Sequence, residues 1–342
     1  PDDESVPVLL QNNSIVTPFE AVTGMYSLPG RHDIDPTAIL APFYFLFFGL
    51  MLSDAAYGLI LTTLCAIILK KYKPEGTTHR MIKMFMFCGL STFMWGALFG
   101  GWFGNFFTVA AKTFFGKEFV IKPLWFDPLS EPMKLLVVSL ILGAIHLFVG
   151  MGVQAYMDIK DGRPLDALFD IGLWYLLLIG IVLFAFGGKL GAGAVGIGKI
   201  MAIVGAVGIL LTGGRKKKGI FGKLTGGLGS LYGITSYLSD VLSYSRLLAL
   251  GLATGVVAQV FNTLGSLAGG GIAGSILLIV VFAFGTVFNI AINALGAFVH
   301  SCRLQYVEFF GKFYTGGGRP FAPFERKTKY IKILKEGNDN VK

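Results

Sequence analysis

Eight apolar stretches, each close to the length of a membrane-crossing helix, dominate this 342-residue sequence. A helix needs about 20 apolar residues to cross a bilayer, and fewer where protein covers part of it. Hydrophobic residues make up 54% of the chain and charged residues only 14%, whereas a soluble domain carries about 25% charged residues. The pattern predicts an all-α polytopic membrane protein whose spans one to eight lie at roughly 38–53, 54–70, 82–106, 133–157, 168–187, 191–212, 231–263 and 275–313.

The first two spans form one apolar run, which we divide at Ser53-Asp54. A single straight helix would leave the Asp54 carboxylate in lipid, where a charge is costly, so we expect Asp54 to cap or bend the chain. Spans seven and eight are instead too long for a perpendicular crossing of a hydrocarbon core of about 30 Å. We expect both to be strongly tilted or to project from the membrane.

Lys and Arg residues predict the orientation, because cytoplasmic loops are enriched in them. They follow spans two, four, six and eight, and the opposite loops carry few. Both ends are therefore predicted to be cytoplasmic, with a segment 1–37 leading into the membrane, a transmembrane domain 38–313 and a basic tail 314–342. The GRKKKG run after span six is interpreted as an orientation signal, with binding of anionic membrane lipid as the alternative.

Several common functions find no support in the sequence. The three Cys residues lie in apolar runs, and the four His residues lack metal-ligand spacing, so no cofactor or metal is predicted. The net charge of +9 reflects topology, and no nucleic-acid motif accompanies it. The glycine-rich stretches GGWFGN (100–105) and GAGAVGIG (191–198) are interpreted as close helix contacts, since neither sits between a strand and a helix.

Two arginines, Arg246 and Arg303, lie deep in spans seven and eight. A guanidinium remains charged in proteins, and at the centre of a membrane helix it costs about 2.5–3.5 kcal/mol on insertion scales. Each arginine belongs to a polar stripe at helical spacing. The stripes contain Tyr232, Thr235, Ser236, Ser239, Ser243, Arg246 and Thr254 in span seven, and Thr286, Asn289, Asn293, Gly296, His300 and Arg303 in span eight. They predict a water-accessible path, although single Ser and Thr residues commonly bond to their own backbone.

The predicted orientation divides the stripes into two half-paths. On the cytoplasmic side of the arginines lie Ser239, Asp240, Ser243 and Glu308, and on the outer side lie Asn289, Asn293 and His300. Neither arginine has a carboxylate within one turn of its own helix. Asp240 is predicted to lie on a different helix face from Arg246, and Glu308 on a different face from Arg303. A carboxylate from another chain could be the missing counter-charge. His146, in span four, is interpreted as a buried bonded histidine, with an ion ligand as the alternative.

The sequence resembles subunit a, or subunit I, of the rotary V-type and archaeal-type (A-type) ATPases along nearly its whole length. PVLLQNNSIVTPFE and MYSLPGRHDIDPT are similar to the family's segment leading into the membrane, FFGLMLSDAAYG to its first helix pair and LILGAIHLFVG to its fourth helix. The most specific matches are SYSRLLALGLA and VHSCRLQYVEFFGKFYTGGGRPFAPF. The resemblance favours a prokaryotic member in the plasma membrane of a bacterium or archaeon.

The resemblance implies a stator subunit that carries no ATP chemistry and faces a rotor ring of c/K proteolipid subunits. By position, Arg246 matches the family's essential arginine opposite the ring carboxylate, and Arg303 its second arginine. Glu308 matches an acidic residue of the cytoplasmic half-channel, His300 a polar position of the outer one, and Asp54 an acidic position in the first helix pair. The family also implies an N-terminal domain, bound to peripheral stalks, which we expect to be missing because this sequence starts without Met.

Two positions depart from the eukaryotic proton-pump relatives, which carry Glu where this chain has Asn293 and His where it has Thr254. The outer half-channel is therefore expected to rely on water, His300 or another acid, and both H+ and Na+ remain open, as does the direction of ATP turnover. Two other classes also remain. A secondary transporter would bind an anion at the arginines, although no internal repeat supports it. A structural anchor for the stalks would use the stripes for packing.

Overall fold

The computed structural model of the protein describes residues 7–30, 33–116, 119–189, 191–215, 220–267, 269 and 271–321. Its helices are, in chain order, α1 (Glu20–Tyr26), α2 (Thr37–Leu52), α3 (Ala55–Tyr72), α4 (Gly76–Phe99), α5 (Phe106–Phe115), α6 (Pro132–Lys160), α7 (Pro164–Phe186), α8 (Ala192–Thr212), α9 (Ile220–Tyr232), α10 (Ile234–Ser243), α11 (Ser245–Ser266), α12 (Ile272–Arg303) and α13 (Phe310–Phe313). Two π-helical segments interrupt this regular structure, Ala167–Gly172 within α7 and Leu304–Phe309 between α12 and α13. Most of the predicted basic tail, from residue 322, and the lysines of GRKKKG lie outside the described residues.

The helices confirm an all-α polytopic membrane protein. Within the described ranges, seven helices are long and apolar enough to cross a membrane, and Thr37–Leu52 is a shorter apolar helix. Together they account for the eight predicted spans. The last two helical units, Thr225–Ser266 and Ile272–Phe313, each contain 42 residues. At 1.5 Å per residue each would extend about 60 Å, twice the hydrocarbon thickness of about 30 Å.

The break between the first two spans lies where the sequence predicts it. Ser53 ends α2 in the left-handed conformation, with φ 30°, and Asp54 then caps α3. Its carboxylate accepts hydrogen bonds from the amides of Ala56 and Tyr57 at 3.0 and 3.2 Å. A polar side chain that binds the free N–H groups of a helix start is a strong N-cap, which explains why the apolar run divides here.

The sequence prediction placed the end of span three too far along the chain, at residue 106. Helix α4 ends at Phe99, and GGWFGN forms a turn, because Gly100, Phe103 and Gly104 adopt positive φ angles of 74°, 53° and 62°. The predicted close contact with a helix is confirmed at Gly104, where a Cβ would meet Ala258 of α11. The unpredicted helix α5 follows this turn. The other glycine-rich stretch is a close contact in part. A Cβ at Gly198 would meet the α7 backbone, whereas Gly193 and Gly196 face open space.

Helix α2 lies at the centre of the bundle, where it packs against α4, α11 and α12. Tyr44, Phe47 and Phe48 are fully buried and form part of one continuous apolar core. By contrast, α7 and α8 form a hairpin that packs mainly on itself. The central position of α2 holds the two long units, α9–α11 and α12–α13, next to each other.

The first and the last described segments of the chain lie together at one end of the bundle. The strands β1 (Pro7–Val8) and β2 (Arg319–Pro320) pair in parallel. The Gly318 amide donates to the Leu28 carbonyl at 3.0 Å, and the Asp33 carboxylate accepts from the Gly316 amide at 2.8 Å. This arrangement fixes the position of the segment that immediately precedes it, which contains Glu308 and α13.

Candidate functional site

Arg246 and Glu308 form the centre of the candidate site. Arg246 is the second residue of α11, and Glu308 lies in the π-helical segment Leu304–Phe309. The Arg246 Nη1 atom lies 4.0 Å from Glu308 Oε1, and the two side chains are 20% and 2% exposed. The sequence interpretation placed Glu308 on a different face from Arg303 of its own helix, and the ion pair that the structure gives to Glu308 is with Arg246 of the other helical unit. A π-helical segment has i→i+5 bonding, so the direction of Glu308 differs from the one that an ordinary α-helix would give it.

A buried polar cluster adjoins this pair. Tyr244 and His146 are fully buried and share a hydrogen bond of 2.8 Å between the Tyr244 hydroxyl and His146 Nδ1, which confirms the interpretation of His146 as a bonded histidine. Gln305 is fully buried beside His146. Its two amide atoms, His146 Nε2 and Glu308 Oε2 make no well-formed hydrogen bond to a described residue.

Such atoms are rare in folded proteins because a buried polar group without a partner costs free energy. Their concentration beside an arginine is therefore typical of a functional site. Sequence reasoning missed Gln305 and Tyr244 as members of it. The signal that could have found Gln305 is its polar amide within LQYVEFF, between Arg303 and Glu308.

The predicted inner residues lie along the seam between α10 and the end of the α12–α13 unit. Ser243 lies next to the Glu308 carboxylate, and its hydroxyl donates to the Ser239 carbonyl at 3.0 Å. Asp240 forms a hydrogen-bonded ion pair with Lys312 of α13. Ser239 itself is exposed on the outside of the bundle.

The predicted outer residues form a buried hydrogen-bonded network. Asn289 is fully buried, and its Nδ2 atom donates to the Tyr57 hydroxyl at 3.0 Å and to the Thr254 carbonyl at 3.1 Å. Asn293 donates in turn to the Asn289 carbonyl at 3.1 Å. Thr254 does not share an exposed face with Ser239, because it is buried and its hydroxyl bonds to the backbone of Met51 and of Leu250.

Asp54 lies at the end of the bundle that the sequence predicts to be the outer one, beside a cavity of about 260 Å³ that Asp127 and Gln259 also line. Besides capping α3, its carboxylate accepts from the amides of Phe103 and Gly104 at 3.1 and 2.9 Å. Asp54 therefore joins the start of α3 to the turn after α4.

Arg303 and His300, near the end of α12, lie close to Arg246, and both side chains are more exposed than that of Glu308. Arg303 is exposed, and no ion pair among the described residues involves it. His300 is half-buried, and its Nδ1 atom is buried without a hydrogen-bond partner among those residues. An exposed guanidinium near an apolar helix surface is suited to attract a carboxylate on a neighbouring molecule.

Apolar side chains pack tightly around the polar residues of both long units. Leu247, which follows Arg246, and Ala297, which lies between Asn293 and His300, are both fully buried. Chemically, the arrangement places the fixed positive charge of Arg246 next to the Glu308 carboxylate, and within the described ranges no cluster of His, Cys, Asp or Glu could hold a metal ion.

Several known proteins are similar to this chain over almost its whole length. The V-type ATPase 116kDa subunit family matches residues 234–326, which contain both arginines and Glu308. The chain is 36% identical to the A-type ATP synthase subunit I of Methanocaldococcus jannaschii, over 96% of this chain and 50% of that protein.

Other relatives give a consistent result. Identity to the A-type ATP synthase subunit I of Thermococcus kodakarensis is 37%, over 96% of this chain and 49% of the relative. Identity to the V-type ATP synthase subunit I of Chlamydia trachomatis is 24%, over 95% of this chain and 56% of the relative. The chain thus spans about half the length of the relatives that it matches. This chain belongs to the subunit I family of A-type and V-type ATP synthases, the V-type ATPase 116kDa subunit family.

Proposed function

We propose that the chain is the stator membrane subunit of a rotary ATPase or ATP synthase, in which it couples H+ or Na+ movement to rotation of a ring. The observation that carries the proposal is the contact, at 4.0 Å, between the partly buried Arg246 guanidinium and the buried Glu308 carboxylate. In this role the subunit performs no ATP chemistry, which belongs to other subunits. Both of its ends lie on the cytoplasmic side of a prokaryotic plasma membrane, and peripheral stalks hold it against rotation.

The inner half-path in this mechanism runs through Asp240, Ser243 and Glu308. Hydroxyl and carboxylate oxygens can bind a small cation or relay a proton. Glu308 stands at the end of this route and supplies the last fixed carboxylate before Arg246. Ser239 contributes at the exposed surface of α10, where the ring would pass.

The outer half-path runs through Asn289, Asn293 and His300. Amide oxygens and an imidazole nitrogen can receive a cation or order water, and Asn289 and Asn293 are already hydrogen-bonded to each other. Asp54 contributes indirectly because it holds the outer turn in place.

The arginines separate the two routes. A ring carboxylate neutralised by an ion can rotate through lipid, whereas next to Arg246 its charged form is favoured by Coulomb attraction, so the ion leaves into the other half-path. A cation cannot pass Arg246 directly, because it would meet a fixed positive charge. Arg303, exposed near the end of α12 and close to Arg246, contributes to the same field.

ATP-driven ion uptake into vesicles that carry the assembled complex tests the proposal, with pH-sensitive and Na+-sensitive dyes read together. We expect Arg246→Ala to abolish uptake while the complex still assembles, and the dye that responds in the wild type identifies the ion. We expect Arg246→Lys also to impair uptake severely, because it keeps the charge but loses the delocalised fork of the guanidinium.

Arg215 provides a matched control. It is also a partly buried arginine paired with carboxylates, at 26% exposure, but it binds Asp166 and Asp170 of α7. Arg215→Lys should therefore retain uptake. Wild-type uptake in Arg246→Ala would refute the proposal and leave Arg246 with a structural role.

A further inference from the structure

A charged cavity opens near the end of the bundle that carries β1 and β2. Its volume is about 370 Å³, and its lining includes Gln154, Asp158, Arg163, Asp166, Tyr237 and Lys312. These residues come from α6, from the connection to α7, from α7 itself, from α10 and from α13. A polar cavity of this size can hold several water molecules, since each takes about 30 Å³ in the liquid.

Lys312 connects this cavity to the inner polar residues. It lines the cavity and lies four residues after Glu308, about one helical turn farther along the chain. Its ammonium group binds the Asp240 carboxylate and lies 4.3 Å from the centre of the Tyr237 ring. The Lys312 and Asp240 side chains are only 16% and 20% exposed.

The two helical units therefore meet through successive polar contacts along one seam. Starting from the cavity, Asp240 contacts Lys312, Ser243 contacts Glu308, and Arg246 contacts Glu308. Asp240, Ser243 and Arg246 follow at intervals of three residues, so the contacts advance steadily into the bundle. The cavity is the aqueous end of this series and Arg246 is its inner end.

We propose that the cavity is the aqueous mouth of the inner half-path, and that the Asp240–Lys312 ion pair is the barrier between that mouth and Glu308. The inference rests on the proposed function, since it names the access route to the same site. A cation that moves from the cavity towards Glu308 must pass an ammonium group, and it can do so only when Lys312 moves away from Asp240. Lys312 thus regulates access without itself binding the ion.

The mouth can be tested by blocking it. Gln154→Cys places a thiol in the cavity lining, and the native residues Cys65, Cys88 and Cys302 are buried. In inverted vesicles with the whole complex, a membrane-impermeant methanethiosulfonate should label this cysteine and reduce ATP-driven uptake to the level of Arg246→Ala. Reduction of the mixed disulfide should restore uptake.

The matched control is Ile141→Cys on the same helix. Ile141 lines a neighbouring apolar groove of about 660 Å³, which adjoins the charged cavity at Met151 and Tyr237 but has an almost wholly apolar lining, so the same reagent should neither label it nor change uptake. Absence of labelling at Gln154→Cys, or labelling without loss of uptake, would overturn the assignment of the mouth. If Arg246→Ala still abolished uptake, the proposed function would stand although this inference had failed.

The barrier is tested by a labelling rate rather than by activity. Ser243→Cys lies beyond the ion pair, and we expect Lys312→Gln to raise its labelling rate roughly tenfold or more, because a hydrogen bond between charged groups has about that effect on an equilibrium. Lys312→Arg, which keeps the pair, should leave the rate close to that of Ser243→Cys alone. Equal labelling rates for Ser243→Cys alone, with Lys312→Gln and with Lys312→Arg would refute the proposal that the Asp240–Lys312 ion pair is a barrier.

Discussion

Asp54 offers the clearest test of whether a buried carboxylate stabilises the fold or takes part in ion conduction. Its carboxylate is 3% exposed and accepts four backbone hydrogen bonds of 2.9 to 3.2 Å, from Ala56, Tyr57, Phe103 and Gly104. Asp54→Ala would remove the cap of α3, which costs about 1 kcal/mol. It would also leave the amides of the outer turn without an acceptor, at about 1–3 kcal/mol each.

The expected loss of folding free energy for Asp54→Ala is therefore about 3–7 kcal/mol. Asp54→Asn keeps one oxygen in the position that receives three of the bonds and loses the bond from Gly104, so its loss should be smaller, about 1–3 kcal/mol. We expect ATP-driven uptake to persist in Asp54→Asn, because the negative charge at this position holds a turn and is not a step in ion transfer.

The midpoint of thermal unfolding can be followed by a thiol-reactive fluorophore, since Cys65, Cys88 and Cys302 are all buried. A version of the complex without these three cysteines gives the background signal. We expect Asp54→Ala to lower the midpoint by roughly 5 °C or more. Asp127→Ala is the matched control, because Asp127 lines the same cavity but its carboxylate accepts one bond, from the Leu129 amide at 3.0 Å. Loss of uptake in Asp54→Asn with an unchanged midpoint would place Asp54 in the ion path and refute this reasoning.

Two further predictions concern the outer network and the packing around it. Asn289→Leu should lower ATP-driven uptake in an assembled complex, because it removes the amide that joins Tyr57 to the Thr254 carbonyl; uptake at the wild-type rate would exclude Asn289 from the outer half-path. Gly96→Ala should lower the thermal midpoint through overpacking, at about 1–3 kcal/mol, because a Cβ there would overlap the backbone of Asp54 and Ala55. Gly193→Ala, where a Cβ meets open space, should leave the midpoint unchanged.

Helix positions were predictable because the bilayer imposes a simple requirement on the sequence. A segment that crosses lipid must satisfy its backbone internally and carry apolar side chains, so hydropathy and length located all eight spans. The same physics located the break at Asp54, since a carboxylate in the middle of one helix would face lipid. The end of α4 was missed because it depends on positive φ angles at Gly100 and Gly104, which an apolar count does not register.

The candidate site was predictable as a set of residue types but less so as a geometry. Arg246 and Glu308 were both identified, yet Glu308 lies in a π-helical segment and contacts a residue of the other helical unit, and the α-helical period of a single unit does not predict such a contact. Gln305 was missed because one polar residue in an apolar run is ordinarily a packing residue. Lys312 was missed for a different reason, since its partner Asp240 lies 72 positions away along the chain.

The length of the central contact agrees with what the proposed role of Arg246 requires. At 4.0 Å, the Arg246–Glu308 contact is longer than a hydrogen bond, which needs about 2.7–3.2 Å, and Arg246 Nη1 has no hydrogen-bond partner among the described residues. A bidentate pair with Glu308 would hold the guanidinium strongly and would compete with each ring carboxylate that arrives. A looser contact still supplies the counter-charge without which a partly buried arginine is destabilising. The tight ion pair, Asp240–Lys312, lies instead on the side of the arginine that the sequence predicts to be cytoplasmic, where the proposed mechanism needs a barrier rather than an available charge.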